Sequence, residues 1–198
     1  MPISTTTRRE AYHPWSIAAH WLTLLLLLAV YAAIELRGVF PKGSEAYVAM
    51  KSWHFTLGML LFVMVLGRLV LRQVVRAPAL EPPPADWERW LAGSMHVALY
   101  AFLVAMPLLG WLAVSAKGRP VPFFGAELPP LIAPDKALAK NLEDLHEALG
   151  TIGYFLIGVH AAAALFHHHV RGDDTLRRML PRPLRGSAAA GSLRLPPG

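Results

Sequence analysis

Residues 146–169 read HEALGTIGYFLIGVHAAAALFHHH, an almost uncharged stretch long enough to cross a bilayer as one helix. It carries His146 and His160, 14 residues apart. On a helix this spacing is about 40° short of four whole turns and covers roughly 21 Å along the axis. Both imidazoles therefore point to one side, one near each leaflet. Because polar side chains inside a membrane are costly and usually functional, the stretch predicts two stacked cofactor sites.

The composition is that of a polytopic membrane protein. Of 198 residues, 55% are hydrophobic and 16% charged, and the mean hydropathy is +0.40. The net charge of +6 is assigned to cytoplasmic loops, and no nucleic-acid partner is expected. The absence of cysteine excludes disulfides, iron–sulfur clusters, thiolate-ligated haem and covalently attached c-type haem. Any haem must therefore be held non-covalently by histidine or methionine.

Apolar runs predict an all-α membrane protein, a bundle of four transmembrane helices with one domain over residues 1–182. A proline-rich connection separates the second and third spans. The long loop before His146 is expected to lie over the membrane face and to contain a short interfacial helix around Lys136 to Asp144. The tail, residues 183–198, is expected to be disordered. The predicted spans cover residues of about 15–36, 52–71, 90–113 and 146–169.

The distribution of basic residues predicts the orientation of the bundle. Eleven of the 19 lysines and arginines fall on the side that carries both termini, seven on the other side, and Arg68 lies within the second span. Cytoplasmic loops are enriched in these residues, so both termini are expected in the cytoplasm.

With this topology the five histidines in the spans fall into two layers. His54 and His146 lie at matching outer depth, whereas His20, His96 and His160 lie nearer the inner side. Two layers of histidines are what two bis-histidine haems in a four-helix bundle require. His160 is the natural inner ligand because it shares a face with His146, but spacing leaves its partner open between His20 and His96.

Small residues next to the outer pair are expected to leave space for a flat macrocycle. Gly58 follows His54, and Gly150 and Gly153 follow His146. The alternatives to haem are histidines that merely hydrogen-bond between helices, and zinc binding, which lacks a second soft ligand at i+3 or i+4.

Two further sets of polar groups lie at inner depth, Arg68 and the three histidines that end the fourth span. Arg68 is expected to pair with an anion, for which haem propionates are the obvious candidates. His167, His168 and His169 at the inner interface are either a solvated cluster or a group near a quinone.

Four phrases carry a resemblance to a known family. HWLTLLLLLAVYAAIELRGVFP, HVALYAFLVAMPLLGW, HEALGTIGYFLIGVHAAAALFHHH and DTLRRMLP resemble the bacterial cytochrome b561 family, most closely its superoxide oxidase branch. The resemblance covers nearly the whole chain, from about Tyr12 to Arg182. The broader family also includes cytochrome b subunits of membrane-bound hydrogenases.

The resemblance implies a multi-pass protein of the bacterial inner membrane with two b-type haems. It implies His54 with His146 and His20 with His160 as axial iron ligands, which favours His20 and leaves His96 as a candidate on the quinone side. It further implies an enzyme, a superoxide:quinone oxidoreductase, that oxidises superoxide to dioxygen outside and passes electrons to ubiquinone.

No catalytic side chain is assigned beyond the haems. Bis-histidine haem has no open coordination position, which suits outer-sphere electron transfer. If superoxide is the donor, outer cations are expected to attract it; these are Lys42, Lys51, Lys117, Arg119, Lys136 and Lys140. Candidates near a quinone are His96, His167 and His168. The competing hypotheses are an electron-transfer subunit serving a partner dehydrogenase or hydrogenase, and a haem-free structural or transport protein.

Overall fold

Four long helices form the frame of the protein, for which a computed structural model describes residues 12–75, 78 and 84–181. They are α1 (Pro14–Leu36), α2 (Glu45–Val74), α3 (Asp86–Ala116) and α4 (Lys136–His169). All four are long and apolar enough to cross a membrane, which confirms the predicted fold class. Four shorter elements complete the description: a 3-10 turn (Arg37–Val39), the strands β1 (Val121–Phe123) and β2 (Ala126–Leu128), and helix α5 (Thr175–Met179). The predicted disordered tail lies outside the described residues.

The prediction of a separate short interfacial helix around Lys136 to Asp144 is wrong. These residues form the opening turns of α4, which continues without a break to His169. The Asp135 side chain caps the helix by accepting a hydrogen bond of 3.0 Å from the Leu138 amide. Since no proline follows this cap before the apolar span, the helix has no reason to end at the interface.

The protein core joins α1, α2 and α3 near the middle of the bundle. Leu26, Leu27, Leu61, Val65 and Leu103 form one buried cluster, with Val65 fully inaccessible. Many other apolar side chains of the spans face outward, as expected where the surroundings are lipid and exposure of leucine carries no penalty; they include Leu22, Leu25, Leu28, Val63, Val70, Phe155 and Val159.

The four helices are not equally close to one another. The backbones of α1 and α2 pack together closely, as do those of α3 and α4, whereas α4 approaches α1 and α2 less closely. Side chains bridge the wider α1–α4 side: the Tyr31 hydroxyl donates to the Gly150 carbonyl at 2.8 Å, and the Tyr154 hydroxyl donates to Glu35 at 2.8 Å. The fold therefore leaves room for side chains or a ligand on the face of α4 that looks toward α1 and α2.

A β-hairpin lies over the end of the bundle that is predicted to face outward. Strands β1 and β2 pair antiparallel, and the turn between them has two residues with positive φ, Phe124 at 49° and Gly125 at 83°, as a tight hairpin turn requires. The Thr56 hydroxyl of α2 donates to the Pro122 carbonyl at 3.2 Å. The loop thus packs against α2, and it contains strands that the sequence pattern did not predict.

Candidate functional site

The outer layer contains one pair of facing imidazoles, His54 on α2 and His146 on α4. Their ring centres are 6.1 Å apart and their planes are nearly perpendicular, at 86°. The His54 Nδ1 atom is 3.0 Å from the Val30 carbonyl; because a carbonyl only accepts, Nδ1 donates and Nε2 keeps its lone pair. The His146 Nδ1 is buried beside the Met106 backbone and makes no well-formed hydrogen bond with any residue that the structure describes.

A glycine on α3 makes space for the His146 ring. A Cβ atom at Gly110 would lie 3.2 Å from His146 Cε1 and 3.5 Å from its Nδ1. Because α3 and α4 pack closely, a larger residue there would press on the ring. Sequence analysis did not identify Gly110, since only the contact across two helices shows its role.

The inner layer brings three imidazoles together. The His160 ring centre is 6.4 Å from that of His20 and 5.7 Å from that of His96, with interplanar angles of 60° and 71°. These distances leave both partners open. The helix arrangement favours His20, because a macrocycle needs separated helices: α1 and α4 are apart, whereas the backbones of α3 and α4 are close.

Arg68 lies against this inner layer. Its guanidinium is 3.5 Å from His20 Nδ1, at the limit of a hydrogen bond, and lies over the Tyr100 ring at 5.6 Å, with Arg72 over the same ring at 5.7 Å. A guanidinium only donates, so Nδ1 is the acceptor in this arrangement. Coordination of iron through His20 Nε2 would place a proton on Nδ1 and release Arg68 toward another acceptor. Among the described residues no carboxylate forms an ion pair with Arg68.

Both imidazole pairs fit an axially ligated metal. Two imidazoles on opposite sides of one ion, each with a metal–nitrogen bond of about 2 Å, have ring centres about 6 Å apart. The pairs His54–His146 and His20–His160 are spaced at 6.1 Å and 6.4 Å. Within the described ranges no three His, Asp or Glu side chains are placed so that they could bind one metal ion by themselves. Two neutral nitrogens per site match a b-type haem, whose porphyrin supplies the other ligands.

The glycines near the outer pair were expected to leave open space, but side chains fill the space beside Gly153. A Cβ atom at Gly153 would overlap with Tyr31 and Phe102, so these two side chains occupy the place that the glycine leaves. The Tyr31 hydroxyl is held there by its bond to Gly150. At Gly58 nothing lies within 4 Å of the corresponding position. The glycine of α4 midway between His146 and His160 therefore accommodates aromatic side chains.

Several outer cations converge near the outer pair. The charges of Lys117, Arg37 and Arg119 all act on the Lys51 ammonium. This ammonium lies 5.9 Å from the centre of the Phe55 ring, and Phe55 follows His54 in the sequence. Lys117 also forms a 2.7 Å ion pair with Glu143. Arg37 was not among the predicted steering residues; its position at the end of α1 brings it to this cluster.

The remaining predicted steering residues lie outside this cluster. Lys42 and Lys136 are exposed, and Lys140 forms an ion pair with Asp144 one helical turn later. Of the predicted steering residues, Lys51, Lys117 and Arg119 therefore lie together, and the nearby Glu143 carboxylate offsets part of their charge.

The three histidines at the end of α4 have different surroundings. His167 Nδ1 is 2.6 Å from an Asp173 carboxylate oxygen. His168 Nδ1 is buried without a hydrogen bond to any described group, and His169 is exposed. Only His167 has a defined polar partner, which the sequence had not indicated.

Several known proteins are similar to this chain over most of its length. Cytochrome b561 homolog 1 of Escherichia coli strain K12 is 41% identical over 166 residues, covering 84% of this chain and 94% of the relative. The probable superoxide oxidase CybB of Yersinia pestis is 34% identical over 173 residues, covering 87% and 97%. Cytochrome b561 homolog 2 of Escherichia coli is 30% identical over 179 residues, covering 90% and 95%.

The family match extends over nearly all of the chain. Residues 11–182 match the family described as prokaryotic cytochrome b561, whose members bind b-type haem. The four membrane-length helices and the facing imidazoles described above are the features that such a protein needs. The chain belongs to the prokaryotic cytochrome b561 family and is a bacterial membrane electron-transfer protein.

Proposed function

We propose that this protein is a superoxide:ubiquinone oxidoreductase of the bacterial inner membrane, with both termini in the cytoplasm. In this proposal, two b-type haems are held by His54 with His146 and by His20 with His160. Superoxide is oxidised to dioxygen on the periplasmic side, and ubiquinone is reduced to ubiquinol.

The observation that carries the proposal is the geometry of α4. One helix presents an imidazole to each of two layers, and each has a partner on another helix at 6.1 Å or 6.4 Å. When bound, haem at these positions supplies one-electron transfer without an open coordination position. The His54–Val30 hydrogen bond orients one ligand, and such support from outside the coordination sphere is what keeps an axial imidazole in its tautomer.

Superoxide as the donor is supported by charge and by similarity. The relative from Yersinia pestis is named a probable superoxide oxidase. In this chain Arg37, Lys51, Lys117 and Arg119 act together beside the outer pair, and a cluster of like charges attracts an anion from solution. Two superoxide anions each lose one electron, and one ubiquinone takes up two electrons and two protons.

Ubiquinone at the inner side is supported by the polar groups that surround His160. His96 lies 5.7 Å from it between ring centres, and Arg68 offers a donor without a carboxylate partner in the part of the chain that the structure describes. Both can hydrogen-bond a quinone carbonyl or a haem propionate. This end of the bundle also faces the side from which the protons would come.

Single histidine variants test the ligand assignment. His54→Ala and His146→Ala should each lower the haem content from two to one per chain and abolish reduction by superoxide. His20→Ala should remove the inner haem, whereas His96→Ala should retain both haems and slow only the reaction with quinone. His169→Ala, at an exposed position, is the matched control. Measured haem-to-protein ratios and spectra of reduced samples would decide, and two haems in the His54 or His146 variant would contradict the assignment.

The alternative, an electron-transfer subunit serving a dehydrogenase or hydrogenase, predicts a different result for the purified chain. Steady quinone reduction by the isolated protein with superoxide supports the proposed enzyme. A haem-loaded chain that superoxide fails to reduce until a partner subunit is added would support the alternative.

A further inference from the structure

A third histidine extends the face of α4 that carries both proposed ligands. His167 follows His160 by seven residues, which is about 20° short of two turns and roughly 10 Å further along the axis. His146, His160 and His167 therefore form one stripe, whose last member lies at the inner end. The side chain of His167 is 34% exposed, so it reaches water as well as the bundle.

The chain folds back at the end of α4 and places a carboxylate on this histidine. Gly172 has a φ of 67°, a backbone conformation that glycine adopts without strain. The Asp173 amide then donates to the His167 carbonyl at 3.1 Å, and the Asp173 carboxylate reaches His167 Nδ1 at 2.6 Å. The second carboxylate oxygen accepts a 2.9 Å hydrogen bond from the Thr175 amide. Both oxygens are thus engaged, and the pair has a fixed geometry.

The carboxylate controls which nitrogen of His167 exchanges protons. Burial raises the pKa of Asp173, but hydrogen bonds from Thr175 and His167 outweigh burial and hold this pKa below its usual value. An ionised carboxylate only accepts, so His167 Nδ1 carries the proton of this hydrogen bond. Nε2 is then the atom that gains and loses a proton.

Charged groups on neighbouring elements have other partners. Glu88 of α3 forms an ion pair with Arg171, and Arg177 of α5 lies 4.0 Å from Asp174. On α2, the guanidinium of Arg72 lies over Tyr100. The remaining nearby charged or titratable groups are the buried Arg178 of α5 and His168 and His169 of α4. The ion pair of Asp173 within the described part of the chain is with His167.

We propose that His167 is the proton donor for quinone reduction at the inner side, with Asp173 as its positioning residue, an inference that rests on the proposed function. The N–H bond at Nε2 breaks as an O–H bond forms on a quinone oxygen, and the imidazole takes a new proton from the inner aqueous phase. Repeating this transfer supplies both protons that accompany the two electrons.

The test follows reoxidation of the chemically reduced holoprotein by decylubiquinone in nanodiscs with rapid mixing. Loss of a general acid typically slows a reaction by about 10²-fold or more; here we expect His167→Gln to slow reoxidation at least about tenfold and to lose the decline with rising pH that a histidine donor gives. Asp173→Asn should slow reoxidation less and alter the pH profile. His169→Gln should match the wild type.

The ¹⁵N shifts of His167 and the reaction of the wild type with superoxide separate a failure of this proposal from a failure of the proposed function. The ¹⁵N shifts of the His167 ring should show a proton on Nδ1 in the wild type and a mixture of tautomers in Asp173→Asn. Unchanged reoxidation and pH profile in a haem-loaded His167→Gln would overturn the proposal. Because the haems are reduced chemically, failure of superoxide to reduce the wild type would refute the donor assignment alone, whereas a wild type that quinone never reoxidises would overturn both quinone assignments.

Discussion

Replacing Gly153 by alanine should damage the centre of the bundle, whereas the same change at Gly158 should not. Both residues lie within α4, so both changes gain about 1 kcal/mol of helix propensity. At Gly158 nothing lies within 4 Å of the added carbon, but at Gly153 it overlaps with Tyr31 and Phe102. Overpacking costs about 1–3 kcal/mol, and loss of the Tyr31–Gly150 hydrogen bond adds about 0.5–1.5 kcal/mol.

The expected difference between the two variants is therefore about 1.5–4.5 kcal/mol, by adding these terms. Unfolding in detergent, followed by loss of haem absorbance and by tryptophan fluorescence, should show Gly153→Ala well below the wild type and Gly158→Ala at or above it. Adding Phe102→Leu to Gly153→Ala should recover part of the loss, because it removes one of the colliding rings. Equal stability and haem content in the two alanine variants would refute the packing described for Tyr31 and Phe102.

Three other changes test the outer site and the inner turn. Gly110→Ala should push on the His146 ring, at a cost of about 1 kcal/mol, and loosen the outer haem only; haem titration measures this, with Gly67→Ala, which meets nothing within 4 Å, as the control. Lys51→Gln should lower the rate of haem reduction by superoxide a few-fold at low ionic strength and have little effect at high salt, because salt screens steering; a rate loss independent of salt would argue against steering. Asp173→Asn should destabilise the protein by about 0.5 kcal/mol at neutral pH, a small value because the side chain is 39% exposed. Its pKa is lowered, so the wild type loses this stabilisation as the pH falls through that pKa, and the unfolding midpoints of the two proteins should converge in acid.

The histidine layers follow from sequence because helix geometry and membrane thickness are nearly constant. Spacing on α4 places His146 and His160 on one face, and topology places His54 at the depth of His146. The choice between His20 and His96 is different in kind, since both rings lie within 6.4 Å of His160. It depends on the separation of helix backbones, which no one-dimensional pattern contains.

The loop before α4 shows which features the sequence pattern does not predict. Its length and composition predict a cover over the outer face, yet the strands β1 and β2 and the early start of α4 were not predicted. Three-residue strands carry too little periodicity to detect. The start of α4 depends on a local cap at Asp135, whose effect is visible only once the helix that follows is known to continue into the membrane.

The sequence alone determined the membrane class, the four long helices and the two layers of histidines, because hydropathy and helical period act on local stretches of chain. Only the tertiary structure decided which residues meet: Tyr31 and Phe102 at Gly153, His146 at Gly110, and Asp173 at His167. These contacts depend on how closely each pair of helices approaches and on where the chain turns back. Both are set by packing between elements distant in sequence, and at the end of α4 by one glycine with positive φ.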